Sequence, residues 1–337
     1  MAHDYLIKDI AFQAGMSVAT VDRVINGRQG VRRQTRARIE AAIEELRQQE
    51  NAAALSGRTF VFDIIMETPD RFSNAVRTAF ESEAASFLPT VIRSRFHFSE
   101  RIRDSDLLSL LARIRRRGSH GVVLKAADTP VVVQAVAELH EAKIPVITLV
   151  TDLPNSHRIA YAGSDNRAAG ETAAYLIGSK ASRGTVLVTL SSNRFRGEEE
   201  REIGLRRLLR ERWPQLRVLE ISEGYGKDFA TGNQVRDALA HDPEINAVYS
   251  IGGGNRAIID AFAEAGREIS CFVAHDLDQD NLDLLRQEKL HFVLHHNLNS
   301  DAGSVFRTFL KARHAIPQLA GPALSAIEII TPFNLPA

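Results

Sequence analysis

Apolar residues recur at helical spacing from the start of the chain. Ile7, Ile10, Ala11 and Ala14 put one apolar stripe on a first helix. Gly15 then supplies the backbone freedom that a sharp turn between helices needs. Ser17 is a suitable N-cap for a short second helix over 17–26, because its hydroxyl can satisfy an orphan amide. Val21 and Val24 or Ile25 face inward there, and Val18, Ala19, Asp22 and Arg23 lie on the outer side. A third helix is predicted over 35–47, with Ile39, Ala42, Ile43 and Leu46 as its buried stripe. From Phe60 onward the pattern changes. Short apolar runs at 60–65, 121–125, 145–149, 185–190, 247–251 and 271–274 predict strands. Amphipathic stretches at 107–116, 130–142, 167–177 and 258–264 predict helices between them. This alternation implies a mostly parallel sheet with crossover helices. The rhythm runs to Tyr161 and starts again, which predicts two similar lobes. Ligands of such sheets bind at the carboxyl ends of strands, here facing each other across a cleft.

Helix, glycine turn, helix is the outline of a DNA-reading unit, whose second helix enters the major groove. Arg23 can bond guanine bidentately, and Val18 and Ala19 can meet a thymine methyl. Ser17, Thr20, Asn26 and Thr35 are short hydrogen-bonding residues suited to phosphate, which positions without specifying. Arg28, Arg32, Arg33, Arg36 and Arg38 follow with no acid among them. The plainer alternative is a helical hairpin with a solvated arginine face. The stretch from Leu6 to Leu46, however, resembles the DNA-binding head of the LacI/GalR repressor family along its whole length. The family pattern is met at Ala11, Ala14, Gly15, Met16, Ser17, Thr20, Val21, Arg23, Val24, Ile25 and Asn26. Asp22 departs from it, standing where the family usually has serine. An acid there could accept from a cytosine amine, pair with a neighbouring arginine, or repel phosphate. Leu6 and Arg32 replace the usual capping threonine and serine.

The chain has 337 residues, too many for this head alone. Its 42 basic and 42 acidic residues leave no global field to draw nucleic acid, so DNA attraction must come from the local arginine cluster. Cys271 is the only cysteine, which excludes a disulfide framework and a thiolate zinc site. No signal-peptide pattern opens the chain and no apolar run has transmembrane length, so a cytoplasmic protein with no membrane partner is expected.

Residues 48–58, QQENAAALSGR, join head to body. They read as a plain linker with a frayed helix end. In the resembled family this stretch is a hinge helix that folds when two copies meet on DNA. A helix this short needs such partners to form. Leu55 would then wedge into the minor groove and kink the duplex.

The body resembles the periplasmic sugar-binding-protein fold of LacI/GalR regulators, and especially its ribose-type branch. The matching pieces are IPVITLVTD, AGSDNRAAGETAAYL, REIGL, VAHDLDQDNLDLL and HHNLNSDAG. The implied architecture is an all-α helix-turn-helix head (1–47), a hinge helix (48–58), and an α/β body of two parallel-sheet lobes. One lobe would hold 59–161 plus 292–325, the other 162–291, with 326–337 as a tail. The resemblance implies cleft roles for six residues. Asp276 and Asp128 would accept from ligand hydroxyls, and Arg201 would hold hydroxyls or a carboxylate bidentately. Asn255 would donate and accept, Asn297 would fall at a cleft amide position, and Phe72 would stack on an apolar sugar face. Each has a plainer reading alone: Arg201 as a solvated helix charge, Asp276 as a helix cap, Phe72 as core.

Gly252-Gly253-Gly254 is not followed by the Gly-Lys-Ser/Thr of a phosphate loop. His295 and His296, adjacent in a strand, would point to opposite faces and could not chelate one metal. Cys271 sits in an apolar run and reads as core. No catalytic constellation is evident, and no cofactor or metal is expected. The expectation is therefore a non-enzymatic, ligand-responsive repressor. It would bind a pseudo-palindromic DNA operator as a homodimer and sense a monosaccharide, polyol or sugar acid, with an amino-acid-like ligand left open. A transport-type solute-binding protein and a sugar-modifying enzyme are the alternatives.

Overall fold

The computed structural model describes residues 5–28, 30–55, 57–313 and 324–335. The head comprises α1 (Ile7–Ala14), α2 (Val18–Ile25) and α3 (Arg33–Leu55). Its small core is Ile10, Ala11, Ala14, Val21, Ile39 and Ala42, with Ile7, Val24, Ile25, Ile43 and Leu46 packed around them. Gly15 turns the chain at φ +60°, a conformation that favours glycine. Ser17 caps α2 by accepting from the Thr20 amide at 3.2 Å, whereas Leu6 offers α1 no side-chain cap. The third helix does not stop at 47 as the spacing suggested. It runs unbroken to Leu55, because 47–55 holds neither glycine nor proline and ends in an alanine run. A separate hinge helix is therefore absent from this conformation of the chain, and the side chain of Leu55 lies outside the described residues.

The first lobe contains β1 (Thr59–Glu67), α4 (Asp70–Ala85), β2 (Val91–Ser99), α5 (Asp104–Arg117), β3 (Gly121–Lys125), α6 (Pro130–Glu141), β4 (Val146–Leu149) and β5 (Ala160–Ala162). Its strands pair in parallel in the order β2-β1-β3-β4-β5. The second lobe contains α7 (Asn166–Lys180), β6 (Gly184–Thr189), α8 (Arg196–Arg212), β7 (Leu216–Ile221), α9 (Asp228–His241), β8 (Ile245–Ser250), α10 (Asn255–Glu264), β9 (Cys271–His275), α11 (Gln279–Arg286) and β10 (Phe292–His295). The chain then crosses back as α12 (Leu298–Ala312) and returns once more as β11 (Glu328–Ile330). The second sheet runs β11-β10-β9-β8-β6-β7, with only β11 antiparallel.

This moves two expected boundaries. Residues 292–295 stand in the second sheet beside β9, and 328–330 add a strand there instead of forming a tail. β11 covers an edge that would otherwise be open. The crossover into the first lobe is α12, whose Phe306 and Phe309 stack against Phe62 at 5.7 and 4.8 Å. Each sheet is buried on both faces. In the first, the aromatic cluster around Phe62, Phe80 and Phe306 fills one face, and Ile65, Leu111 and Val136 fill the other. Among the described residues, no helix is long and apolar enough to cross a membrane.

Cys271 is fully buried at the start of β9, and burial pushes its thiol up to about 12. A thiol in that state is a poor nucleophile. Native protein at pH 8 is expected to leave Ellman's reagent unreacted for many minutes, and denatured protein to release one equivalent at once. Rapid stoichiometric reaction of the native chain would contradict the placement of β9.

Candidate functional site

The carboxyl ends of β1, β3 and β4 face those of β6, β8 and β9. Between them lies a cavity of about 60 Å³, lined by Phe72, Lys125, Glu198, Arg201, Asp276 and Asp278 among others. Arg201 reaches it from α8 and is 4 % exposed. Its Nε donates to Asn166 Oδ1 at 2.8 Å, and Asn166 Nδ2 in turn donates to Val150 O and Tyr161 Oη. Arg201 sits there because α7 and α8 touch backbone to backbone. A Cβ on Gly170 would lie 1.9 Å from the Arg201 carbonyl oxygen, and one on Gly204 would lie 2.2 Å from that of Arg167.

Asp276 follows β9 at φ +63°, a conformation uncommon for a non-glycine residue and one that recurs at binding sites. Asn281 holds it, donating from Nδ2 to the carbonyls of His275 and Asp276 at 2.9 and 2.7 Å. Asn255 does not line the cavity. It donates to Asn281 Oδ1 at 2.6 Å and so supports the loop from behind. Asp276 Oδ1 is buried without a hydrogen-bond partner, 3.7 Å from His296 Nε2. His296 is itself held by Asp301 at 2.6 Å.

Phe72, Arg201 and Asp276 thus converge on one cavity, but Asn255 and two further expected residues do not. Asp128 lies across from Arg196 at 3.6 Å, outside the lining. Asn297 caps α12, accepting from the Ser300 amide at 3.0 Å, and faces a separate open groove of about 970 Å³ beside α4. Sequence reasoning also missed several groups. Lys125 closes β3 and is only 8 % exposed. Its Nζ donates to Glu67 O at 2.6 Å and lies 4.0 Å from the Phe195 ring centroid. Burial lowers its pKa, against the opposing charges of Glu198, Glu67 and Asp276. Glu198 accepts from the Ser191 amide at 2.6 Å and from its hydroxyl, and burial raises its pKa. Burial keeps His275 neutral, bonded to Tyr249 Oη at 2.7 Å. The one signal available for Lys125 was a lone charge ending an otherwise apolar strand, GVVLK.

The lobes meet through charges around the cavity. Arg71 of the first lobe pairs with Asp278 at 2.9 Å and donates to Gly226 O at 3.4 Å. Lys227 reaches Glu100 at 2.7 Å, and Arg194 pairs with Asp104. Among the described residues no group of His, Cys, Asp and Glu is arranged to hold a metal ion.

On the head, Val18 is 53 % exposed, and Ala19 and Arg23 are also open. The Ser17 and Thr20 hydroxyls bond each other at 2.8 Å. Asp22 accepts from Asn26 Nδ2 at 2.7 Å and pairs with Arg28 at 3.3 Å. Asp22 is thus paired with a neighbouring arginine. Thr35 is half-buried near the start of α3.

A helix-turn-helix head on a two-lobed body with an interlobe cleft defines the class: a DNA-binding unit joined to a small-molecule-binding unit. Comparison with known proteins agrees. Residues 62–308 match the periplasmic binding protein domain, and residues 6–51 match the bacterial regulatory proteins of the lacI family. The chain belongs to the periplasmic binding protein domain family and carries a lacI-family head. The HTH-type transcriptional regulator pepR1 of Lactobacillus delbrueckii subsp. lactis is 47 % identical over 51 residues, a match spanning 15 % of either chain. The glucose-galactose binding protein GanP of Geobacillus stearothermophilus superposes with a TM-score of 0.74 at 18 % identity, over 83 % of this chain and 100 % of that one. A candidate LacI transcriptional regulator from Bacteroides fragilis gives 0.70 at 14 % identity, over 82 % and 98 %.

The α7–α8 contact yields a test. Gly204→Ala must part the two helices, and overpacking of this kind costs about 1–3 kcal/mol. The expected result is a melting temperature several degrees lower, with weakened ligand binding through displaced Arg201. Unchanged melting and binding would contradict the close approach.

Proposed function

We propose that this chain is a ligand-responsive, sequence-specific transcriptional regulator. It acts as a repressor, binds a pseudo-palindromic operator as a homodimer, and senses a small sugar or sugar-like metabolite in the interlobe cleft. The observation that carries this reading is the joining, in one chain, of a lacI-type head to a body whose cleft gathers Phe72, Arg201 and Asp276. An apolar wall with a few directed polar groups suits a small polyhydroxy ligand. The sugar-binding structural relative supports the same ligand size and chemistry. Binding, not turnover, is the role. A regulator of this kind works where the chromosome is, in the cytoplasm.

The cross-lobe pairs support a coupling between cleft and head. The cavity of about 60 Å³ is narrow, and the lobes around it are joined by the cross-lobe pairs Arg71–Asp278 and Lys227–Glu100, so an occupant that presses on either lobe acts on these pairs. α3 leads from the head to Thr59, where the first lobe begins, so lobe geometry reaches the heads through that entry point. A ligand that prefers one lobe geometry shifts the population of DNA-competent dimers. The test is a gel shift with the cognate operator. Saturating ligand is expected to change operator affinity by roughly 5–150-fold, the usual range for such coupling. An unchanged shift with every compound that binds the body would sink the reading.

Base reading falls to Arg23. Arg23→Ala is expected to lose about 1–3 kcal/mol of discrimination between operator and mismatched DNA while ligand binding persists. Equal loss on operator and random DNA would place Arg23 on phosphate instead.

A further inference from the structure

We propose that the cleft ligand is a sugar acid, with its carboxylate held by Lys125 and Arg201 and one of its hydroxyls bonded to Asp276. This rests on the reading of the cleft as an effector site and narrows the class of effector.

An ammonium carries three donors and a guanidinium five. Lys125 spends one on Glu67 O, and Arg201 spends its Nε on Asn166. Both side chains are more than nine-tenths buried at the cavity wall, where unspent donors of charged groups are costly. Two of the nearby acids are engaged elsewhere. Glu198 accepts both the amide and the hydroxyl of Ser191. Asp278 takes Arg71 and the Asn281 amide. Glu67 Oε1 lies 3.7 Å from Arg194 and, like Asp276 Oδ1, has no hydrogen-bond partner. Among the described residues, the remaining donors of Lys125 and Arg201 have no hydrogen-bonded acceptor.

A neutral hydroxyl serves such a wall poorly. Each one that accepts from Lys125 or Arg201 brings a hydrogen that needs an acceptor of its own. A carboxylate brings acceptors only, and its two oxygens match a guanidinium fork. Across the cavity the need is opposite, since Asp276 Oδ1 is buried without a donor. A ligand hydroxyl supplies one. A ligand ammonium would supply one too, but it would place a third cation beside Lys125 and Arg201 in a very small space. Phe72 offers an apolar wall for the carbon chain or ring.

The test is calorimetric titration of the full chain with hexonates and hexuronates (gluconate, galactonate, glucuronate, galacturonate), the parent neutral sugars and polyols, and a set of amino acids. At least one sugar acid is expected to bind, and at least tenfold more tightly than its neutral parent. Lys125→Met is expected to weaken that acid by tenfold or more and to narrow its advantage over the parent sugar. Lys125→Arg, which keeps the charge, is expected to restore part of the affinity, and melting curves of both variants report whether they fold. Should neither fold, the wild-type panel alone decides. Equal or tighter binding of a neutral sugar, tighter binding of an amino acid, or no binding by any acid of the panel would overturn the proposal. The gel shift separates this failure from that of the regulator reading. A neutral sugar that binds and changes operator affinity overturns only the sugar acid. A sugar acid that binds and leaves operator affinity unchanged overturns only the effector role.

Discussion

The contact on which the cleft depends is the backbone-to-backbone approach of α7 and α8 at Gly170 and Gly204. It lets a guanidinium rooted in the interior reach the cavity while its Nε is tied to Asn166. Asn166 also donates to Val150 O in the first lobe, so the same residue joins the two lobes beneath the ligand position. A bulkier residue at either glycine would separate the helices and move the arginine off its support. In a packed interior such displacements are not absorbed locally.

Around that anchor the site is a set of buried charges. Lys125, Glu198, Arg201, Asp276, Asp278 and Arg71 stand within one small cavity wall. Buried ions persist only where partners compensate their lost hydration. Arg71 and Asp278 compensate each other, and Glu198 leans on Ser191. Lys125, Arg201 and Asp276 keep donors and an acceptor unspent, the local imbalance that the proposed ligand would relieve. In the same wall the Arg71–Asp278 pair joins the two lobes.

Much of this was legible in the sequence. The head was, because helical spacing, Gly15 and the Ser17 cap lie close together and act locally. The buried strands were, because both faces of the sheets are covered and their runs are continuously apolar. The edge strands β2 and β7 were not, since VIRSRFHFS and LRVLEI interleave charge with apolar residues, as partly solvated edges do. Helix α3 outran its expected end because no breaker residue stops it. In the cleft, strand-end positions such as Asp276 could be inferred from the register of the resembled fold. The direction of a side chain could not, and Asp128 and Asn297 turn to Arg196 and the α12 cap instead. Lys125 escaped notice because a lysine closing a strand ordinarily faces water. The Arg71–Asp278 pair joins residues far apart in the chain, and no local pattern announces it.

The central claim is that cleft and DNA-reading head share one coupling energy. Linkage makes that energy reciprocal. The most direct measurement is the dissociation constant of the ligand for the free protein and for the protein saturated with the DNA it binds. The account predicts that the two constants differ by the same factor by which the ligand changes DNA affinity. Identical constants, with and without DNA, would contradict it.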